Sequence, residues 1–233
     1  MKKNKNDEFI SIVGHELRTP LTSIRGYISM ILEGDMGEIS DEARKALNHC
    51  YDSSVRLVNL VNDVLALSKI ESGKMEYYMK DIQITELLKL VYNDVFLEVE
   101  SKKVDFEIQI DKHLKEKKIN IDTDKIRQVF INLINNAVKF TDIGGKIILK
   151  VSKIKNNVKF EIIDNGIGIP KDKIDTIFEK FSQIESSLQR TNTTGLGIGL
   201  ALCKNFIKDF GSEIKVKSEF GKGSNFSFEL NLI

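Results

Sequence analysis

Four groups of residues in this 233-residue chain have the types and spacing to do chemistry. The first is His15 with Glu16 beside it and Thr19 one helical turn on. A neutral imidazole is a nucleophile near pH 7, and an adjacent carboxylate can hold one ring N–H and raise the basicity of the other nitrogen. An exposed histidine is more often a plain surface residue, and His49 and His113, both among polar neighbours, keep that reading. The second group is Asn132, Asn136 and Lys139, spaced by four and three, which form one polar line on a helix. Ile126, Val129, Phe130, Leu133, Ile134 and Ala137 define that helix's buried face. Amide oxygens on such a line suit Mg2+, and an ammonium suits phosphate. The last two groups are glycine strings: Asp164-Asn165-Gly166-Ile167-Gly168-Ile169-Pro170 behind a strand, and Thr194-Gly195-Leu196-Gly197-Ile198-Gly199-Leu200 opening a helix. Glycines let backbone N–H groups approach phosphate, and a helix N-terminus adds a favourable dipole. Neither string has the spacing of a Walker loop or of a dinucleotide fingerprint.

The elements that must position these residues fall into two parts. From Asp7 to Leu32 apolar residues recur three or four apart (Phe9, Val13, Leu17, Leu21, Ile24, Ile28, Ile31), which predicts a helix with one apolar stripe. On a helical wheel His15 falls opposite that stripe, facing solvent with Ser11, Arg18 and Thr22, and Pro20 should kink the helix just beyond it. A turn at Glu33–Glu38 leads to Ser40, an N-cap for a second helix whose stripe includes Ala43, Ala46, Leu47, Cys50, Ser54, Leu57, Val61 and Leu65 and which stops near Ser72-Gly73. Two such helices form an antiparallel hairpin that cannot cover its own stripes, so dimerisation into a four-helix bundle is expected. From Tyr77 the period changes. Strands are predicted at 104–110, 146–151, 158–163 and 224–230, and helices at 85–101, 123–140, 171–179 and 199–210, interleaved without a regular parallel repeat. That pattern predicts a two-layer α/β sandwich with a mixed sheet following the helical hairpin. The polar stretch 182–194 reads as a mobile lid.

The local strings carry a family resemblance. Gly14-His15-Glu16-Leu17-Arg18-Thr19-Pro20-Leu21 resembles the phospho-acceptor box of sensor histidine kinases. The Asp122–Thr141 string resembles their N-box, the two glycine strings the G1 and G2 boxes of the Bergerat ATP fold, and Ile177-Phe178-Glu179-Lys180-Phe181 the F-box. All occur in the family's order over nearly the whole chain. The resemblance implies ATP-dependent phosphorylation of His15, with Glu16 as its orienting carboxylate, and phosphoryl transfer to the receiver aspartate of a response regulator. It implies that Thr19 positions a water when the phosphoryl group is removed, a phosphatase activity. It implies Mg2+ on Asn136, Asp164 as acceptor for the adenine amino group, and a nucleotide site lined by Asn132, Lys139, Phe140, Gly166, Gly168, Ile169, Gly195, Leu196, Gly197, Ile198 and Gly199. Residues 1–74 are then the dimerisation and histidine-phosphotransfer domain and 75–233 the ATP-binding domain, with a hinge at 72–81. Many members carry Arg soon after the second F-box Phe, where this chain has Ser182-Gln183. Gln183 supplies no charge, which leaves Lys180 and Arg190 as candidate cations for the γ-phosphate.

Composition bounds these readings. The formal charge is +1, with 41% hydrophobic and 30% charged residues, an ordinary globular balance that gives no footprint for nucleic acid. No apolar run reaches a membrane span and the start is not a secretory signal, so a cytoplasmic segment is expected, with the parent protein anchored, if at all, through a sensor region ahead of it. Cys50 and Cys203 lie far apart without metal spacing. Other enzymes on the same ATP fold and a non-catalytic nucleotide-binding scaffold are the rival readings. His15-Glu16 speaks against the first, and the coexistence of His15, Asn136 and both glycine strings against the second.

Overall fold

The protein's computed structural model describes residues 5–182 and 197–233, with the side chains of residues 5–12 and of His15 left outside. It divides into two compact units, residues 1–75 and 76–233.

The first unit is a helical hairpin. Helix α1 (Lys5–Glu33) runs unbroken through Pro20, and α2 (Asp41–Glu71) follows a short turn. The Ser40 hydroxyl accepts the Ala43 N–H at 3.2 Å, and the Arg44 guanidinium donates to the Leu32 carbonyl at 2.7 Å, so one corner caps both helices. At the far end Gly73, with φ +66°, takes the left-handed conformation that ends α2. The face of α1 turned to α2 centres on Gly14, Leu21 and Ile28, a rotation away from the stripe's centre. Leu17 and Ile24, expected at that centre, are 45% and 50% exposed. Arg18, expected on the solvent side with His15, donates to the Asn62 side chain at 2.7 Å on the α2-facing side. The period marked an apolar flank wider than a single partner helix covers. On α2, Ala46, Cys50 and Leu57 are exposed in the same way.

The second unit is a two-layer sandwich. Strands β1 (Met79–Gln83) and β3 (Lys118–Asp122) pair antiparallel as a small separate sheet. The main sheet has the order β2-β4-β5-β7-β6, built from Asp105–Ile110, Lys146–Ile154, Asn157–Asp164, Lys215–Glu219 for β6 and Gly223–Asn231 for β7. Only the β2–β4 pair is parallel, so the sheet is mixed as expected. Helices α3 (Ile84–Lys102), α4 (Thr123–Phe140) and α5 (Gly199–Asp209) cover one face. Alternation along β5 and β7 sends Val158, Phe160, Ile162, Phe226, Phe228 and Leu230 into the core, where Phe130 of α4 meets Phe160 and Phe228 with ring centroids 5.2 and 5.5 Å away.

Two sequence expectations for this unit change. The helix expected at 171–179 is a 3₁₀ turn at Lys171–Lys173 followed by further turns. Three-residue bonds (Lys173 to Pro170, Thr176 to Lys173, Glu179 to Thr176) tighten this run, and Phe178 packs edge-on against Phe226. Strands β1, β3 and β6 are additions. Each is only five residues long, too short for a period-two signal to stand out, although Ile119 and Ile121 of β3 do alternate inward.

Candidate functional site

Helix α4 supplies one wall of the site. Asp122 caps it: its Oδ1 accepts the N–H groups of Asp124 and Lys125 at 3.0 and 3.1 Å, so the helix starts at Thr123. Its apolar face is fully buried, which turns Asn132, Asn136 and Lys139 to the other side. Asn132 and Asn136 are half-buried. The Asn132 Nδ2 donates to the Gly199 carbonyl at 3.5 Å, which joins α4 to the start of α5 and leaves the amide oxygen as an acceptor. Lys139 lies with its Nζ 5.0 Å from the Phe140 ring centre, and local desolvation pulls the ammonium's pKa below the ordinary lysine value.

Asp164 ends β5 at the centre of the site and is 8% exposed. Its Oδ1 accepts the Gly166 N–H at 2.9 Å and the Ser224 N–H at 3.2 Å. Burial lifts the carboxyl above the usual carboxylate range, against the downward pull of those two donors. Both bonds use Oδ1. Among the described residues neither bond engages Oδ2, so an acceptor-only oxygen stays available for an N–H donor.

The first glycine string works differently from the phosphate cradle expected of it. Four of its amides are already used: Asn165 N–H donates to the Lys146 carbonyl at 3.2 Å, Gly166 N–H to Asp164 Oδ1 at 2.9 Å, Ile167 N–H to the Phe140 carbonyl at 3.1 Å and Ile169 N–H to the Ser218 hydroxyl at 2.8 Å. A Cβ at Gly166 would lie 2.3 Å from the Phe140 carbonyl oxygen, and one at Gly168 would lie 2.1 Å from the Glu219 carbonyl oxygen. The glycines permit backbone to pack on backbone, and the result is a rigid mount for Asp164. Gly223, φ +98°, belongs to the same mount, because its Cβ would lie 2.0 Å from the Asp164 carbonyl oxygen.

The second glycine string is described only from Gly197 onward. Gly195 and Leu196 lie outside the described residues, as do Gln183 and Arg190. Gly197, φ +68°, accepts the Phe181 N–H at 3.1 Å through its carbonyl. Ile198 is buried, and α5 begins at Gly199 with no side-chain cap, so its first-turn amides keep their dipole for an anion. Lys180 is exposed.

The structure therefore gathers Asn132, Asn136, Lys139, Phe140, Asp164, Gly166, Gly168, Ile169, Gly197, Ile198 and Gly199 within the second unit. Glu16 and Thr19 are exposed on α1 of the first unit. Gly14 is buried against α2, where a Cβ would lie 2.4–2.6 Å from three atoms of the Leu65 side chain. Sequence reasoning missed Gly14, Ser218 and Ser224. The Gly221-Lys222-Gly223-Ser224 string at the start of a strand was the available signal for the last.

Comparison with known proteins gives this geometry a family. Residues 121–233 match the model of the histidine kinase-, DNA gyrase B- and HSP90-like ATPases. Residues 5–73 match the His Kinase A (phospho-acceptor) domain, which separates the chain from gyrase-like and HSP90-like members. The circadian input-output histidine kinase CikA of Synechococcus elongatus is 34% identical over 94% of this chain and 29% of its own length. The aerobic respiration control sensor protein ArcB of Escherichia coli is 36% identical over 96% of this chain and 28% of its own. The chain thus spans under a third of these two relatives. The crystal structure of full-length ShkA in complex with AMPPNP superposes with a TM-score of 0.78 at 29% identity, over 97% of this chain and 46% of that one. With a phospho-acceptor hairpin ahead of an ATPase-type sandwich, the chain belongs to the sensor histidine kinases and carries their catalytic core.

Proposed function

We propose that the chain binds ATP on residues 76–233 and transfers its γ-phosphoryl group to His15, for onward transfer to an aspartate of a response regulator. The carrying observation is the Asp164 carboxylate, held through Oδ1 by two backbone donors with Oδ2 left to accept an exocyclic amine such as that of adenine. The uncapped start of α5 and the Lys139 ammonium suit the phosphates, whose charge would restore the lysine's ordinary pKa.

The residues present fit a magnesium ion carried by the nucleotide. Among the described residues no group of three or more His, Cys, Asp or Glu could hold a metal, so the Asn136 amide oxygen would be one protein ligand beside phosphate oxygens and water. Bound there, the ion supplies neutralisation of triphosphate charge.

In the step itself, an imidazole nitrogen of His15 attacks the γ-phosphorus, the bond to the bridging oxygen breaks, and ADP departs with that oxygen. Glu16 holds the other ring N–H and then takes or shares its proton. An aspartate of the response regulator next displaces the imidazole from phosphorus. Hydrolysis of that acyl phosphate by a water placed by Thr19, which releases inorganic phosphate and regenerates the aspartate, is the opposing phosphatase activity.

A homodimer completes the first unit in this reading: Leu17, Ile24 and Leu57, exposed in one chain, become buried against a second copy. No helix among the described residues is long and apolar enough to cross a membrane. Incubation with γ-labelled ATP and magnesium tests the proposal. Acid-labile label that disappears in His15→Gln is the expected result; undiminished labelling in that variant overturns the assignment.

A further inference from the structure

The two helices that frame the nucleotide site have their other ends at one place. Helix α4 carries Asn132, Asn136 and Lys139 in its second half and starts at the Asp122 cap; α5 starts at the glycine string and ends at Asp209. At those far ends sit the first residues of the second unit. The Tyr77 hydroxyl donates to the Asp209 carboxylate, and its ring packs edge-on against Phe206 and Phe210, with centroids 6.4 and 5.4 Å away. The next residue is held from the other helix: the Tyr78 N–H donates to Asp122 Oδ2 at 2.9 Å, the same side chain that caps α4. A buried carboxylate, a ring slot and a hydroxyl bond together grip two consecutive residues at the head of a unit.

The chain ahead of this grip is short. The last backbone bond of the first unit runs from the Lys74 N–H to the Lys69 carbonyl at 2.8 Å. Only Met75 and Glu76 lie between that bond and Tyr77. At about 3.3–3.6 Å per residue, each residue released from the grip adds substantially to so short a tether. Tether length and exit direction set the effective concentration and the orientation of two joined reactants.

We infer that Tyr77, seated on α5 by Asp209, Phe206 and Phe210, is a positioning residue for His15 phosphorylation, fixing where the connecting chain leaves the ATP-binding unit. This rests on the function proposed above, with the nucleotide on the second unit and the acceptor on the first. Tyr77 touches neither reactant. Its effect belongs to the delivery of bound nucleotide and not to nucleotide affinity. The ring slot sets the exit point, and the hydroxyl bond to Asp209 sets the rotation of the ring within the slot.

The test uses the full chain in four forms: wild type, Tyr77→Phe, Tyr77→Ala and Asp209→Ala. Two quantities are read for each, the dissociation constant of a fluorescent ADP analogue and the rate of His15 labelling at saturating γ-labelled ATP, with thermal unfolding as a check that each variant is folded. Tyr77→Ala should lower the saturated rate at least fivefold with ADP affinity within twofold of wild type. Tyr77→Phe and Asp209→Ala, which keep the ring and delete the same bond, should fall together between the two. A saturated rate within twofold of wild type in Tyr77→Ala overturns the inference, and so does a loss of rate matched by an equal loss of ADP affinity. If Tyr77→Ala unfolds, the Tyr77→Phe and Asp209→Ala pair decides by the same criteria, with any reproducible drop in saturated rate at constant affinity as support and none as refutation. Absence of labelling in wild type instead refutes the function proposed above and is thereby distinguished.

Discussion

Gly14 and Leu65 touch backbone to side chain where the two helices of the first unit cross, with no room at residue 14 for a methyl group. The residue next to the proposed phosphoryl acceptor is thus the closest described approach between a glycine and its facing helix. Helix propensity alone would favour Ala at this position by up to ~1 kcal/mol, and overpacking costs about 1–3 kcal/mol. Gly14→Ala should therefore lower stability or leave it near neutral in the wild-type background. In a Leu65→Ala background, where the obstacle is gone, it should raise stability. A double-mutant cycle by thermal unfolding measures the coupling, and a cycle that sums to zero would mean the two residues do not meet.

Asp164→Asn separates binding from folding. The asparagine Oδ1 can still accept from Gly166 and Ser224, and the buried charge is gone. Because burial raises the folded-state pKa of Asp164, the folded state holds this proton more tightly than the unfolded one. The stability it contributes is present in full below the unfolded carboxylate's pKa, about 3.9, and is lost as pH rises through the raised folded value. At pH 7 the variant should be as stable as wild type or more so. Nucleotide affinity should drop about tenfold to a hundredfold, the loss of one charge-assisted hydrogen bond of ~1.5–3 kcal/mol. Calorimetric titration with ADP alongside a melting curve reads both.

The same raised pKa gives nucleotide binding a pH dependence. Only the ionised Asp164 offers two acceptor oxygens, so a proton competes with the adenine amine. ADP affinity should decline as pH falls through the raised value, at a higher pH than an ordinary aspartate would produce. In Asp164→Asn this component of the profile should vanish.

Gly223→Ala should damage the mount of Asp164. The substitution meets both a φ of +98° and the Asp164 carbonyl oxygen, a backbone atom with little freedom to retreat. A destabilisation of about 2 kcal/mol or more is expected, with weakened ADP binding in the fraction that folds. Gly26→Ala, where nothing lies within 4 Å and the backbone is helical, is the matched control and should be neutral or mildly stabilising.

Charge placed on the uncovered flank of the hairpin should break the dimer. Ile24→Asp or Leu57→Asp puts a carboxylate where two copies would bury apolar surface, and each substitution acts twice in a symmetric pair. Sedimentation equilibrium should show the dimer constant weakened at least tenfold, with ADP affinity unchanged because the nucleotide residues lie in the other unit. A wild-type chain that is monomeric at high micromolar concentration would remove the premise.

The periodicity of residues 7–72 and the alternation in β4, β5 and β7 were enough to assign a helical hairpin followed by a mixed-sheet sandwich, because each buried face repeats over many residues. Ser40 and Gly73 marked the limits of α2 for the local reason that a cap is made by neighbours. What stayed hidden depends on contacts distant in sequence. The rotation of α1 that buries Gly14 and turns Leu17 outward depends on how α2 packs. Ser224 reaches Asp164 across 60 positions. The glycines of the first string read as a phosphate cradle because type and order do not say what stands opposite; Phe140 and Glu219 do. The 171–179 segment had helical spacing, and its tight turns follow from where Phe178 must meet Phe226.

The bond from Phe181 to Gly197 has a consequence for how this family can vary. It joins two points 16 positions apart in sequence, so the scaffold on either side is held together at that bond. Lengthening the chain between two such points is cheap, about 0.6 kcal/mol for each doubling of its length. A change in the number of residues between Phe181 and Gly197 therefore leaves the mount of Asp164 and the helices of the second unit in place at small cost.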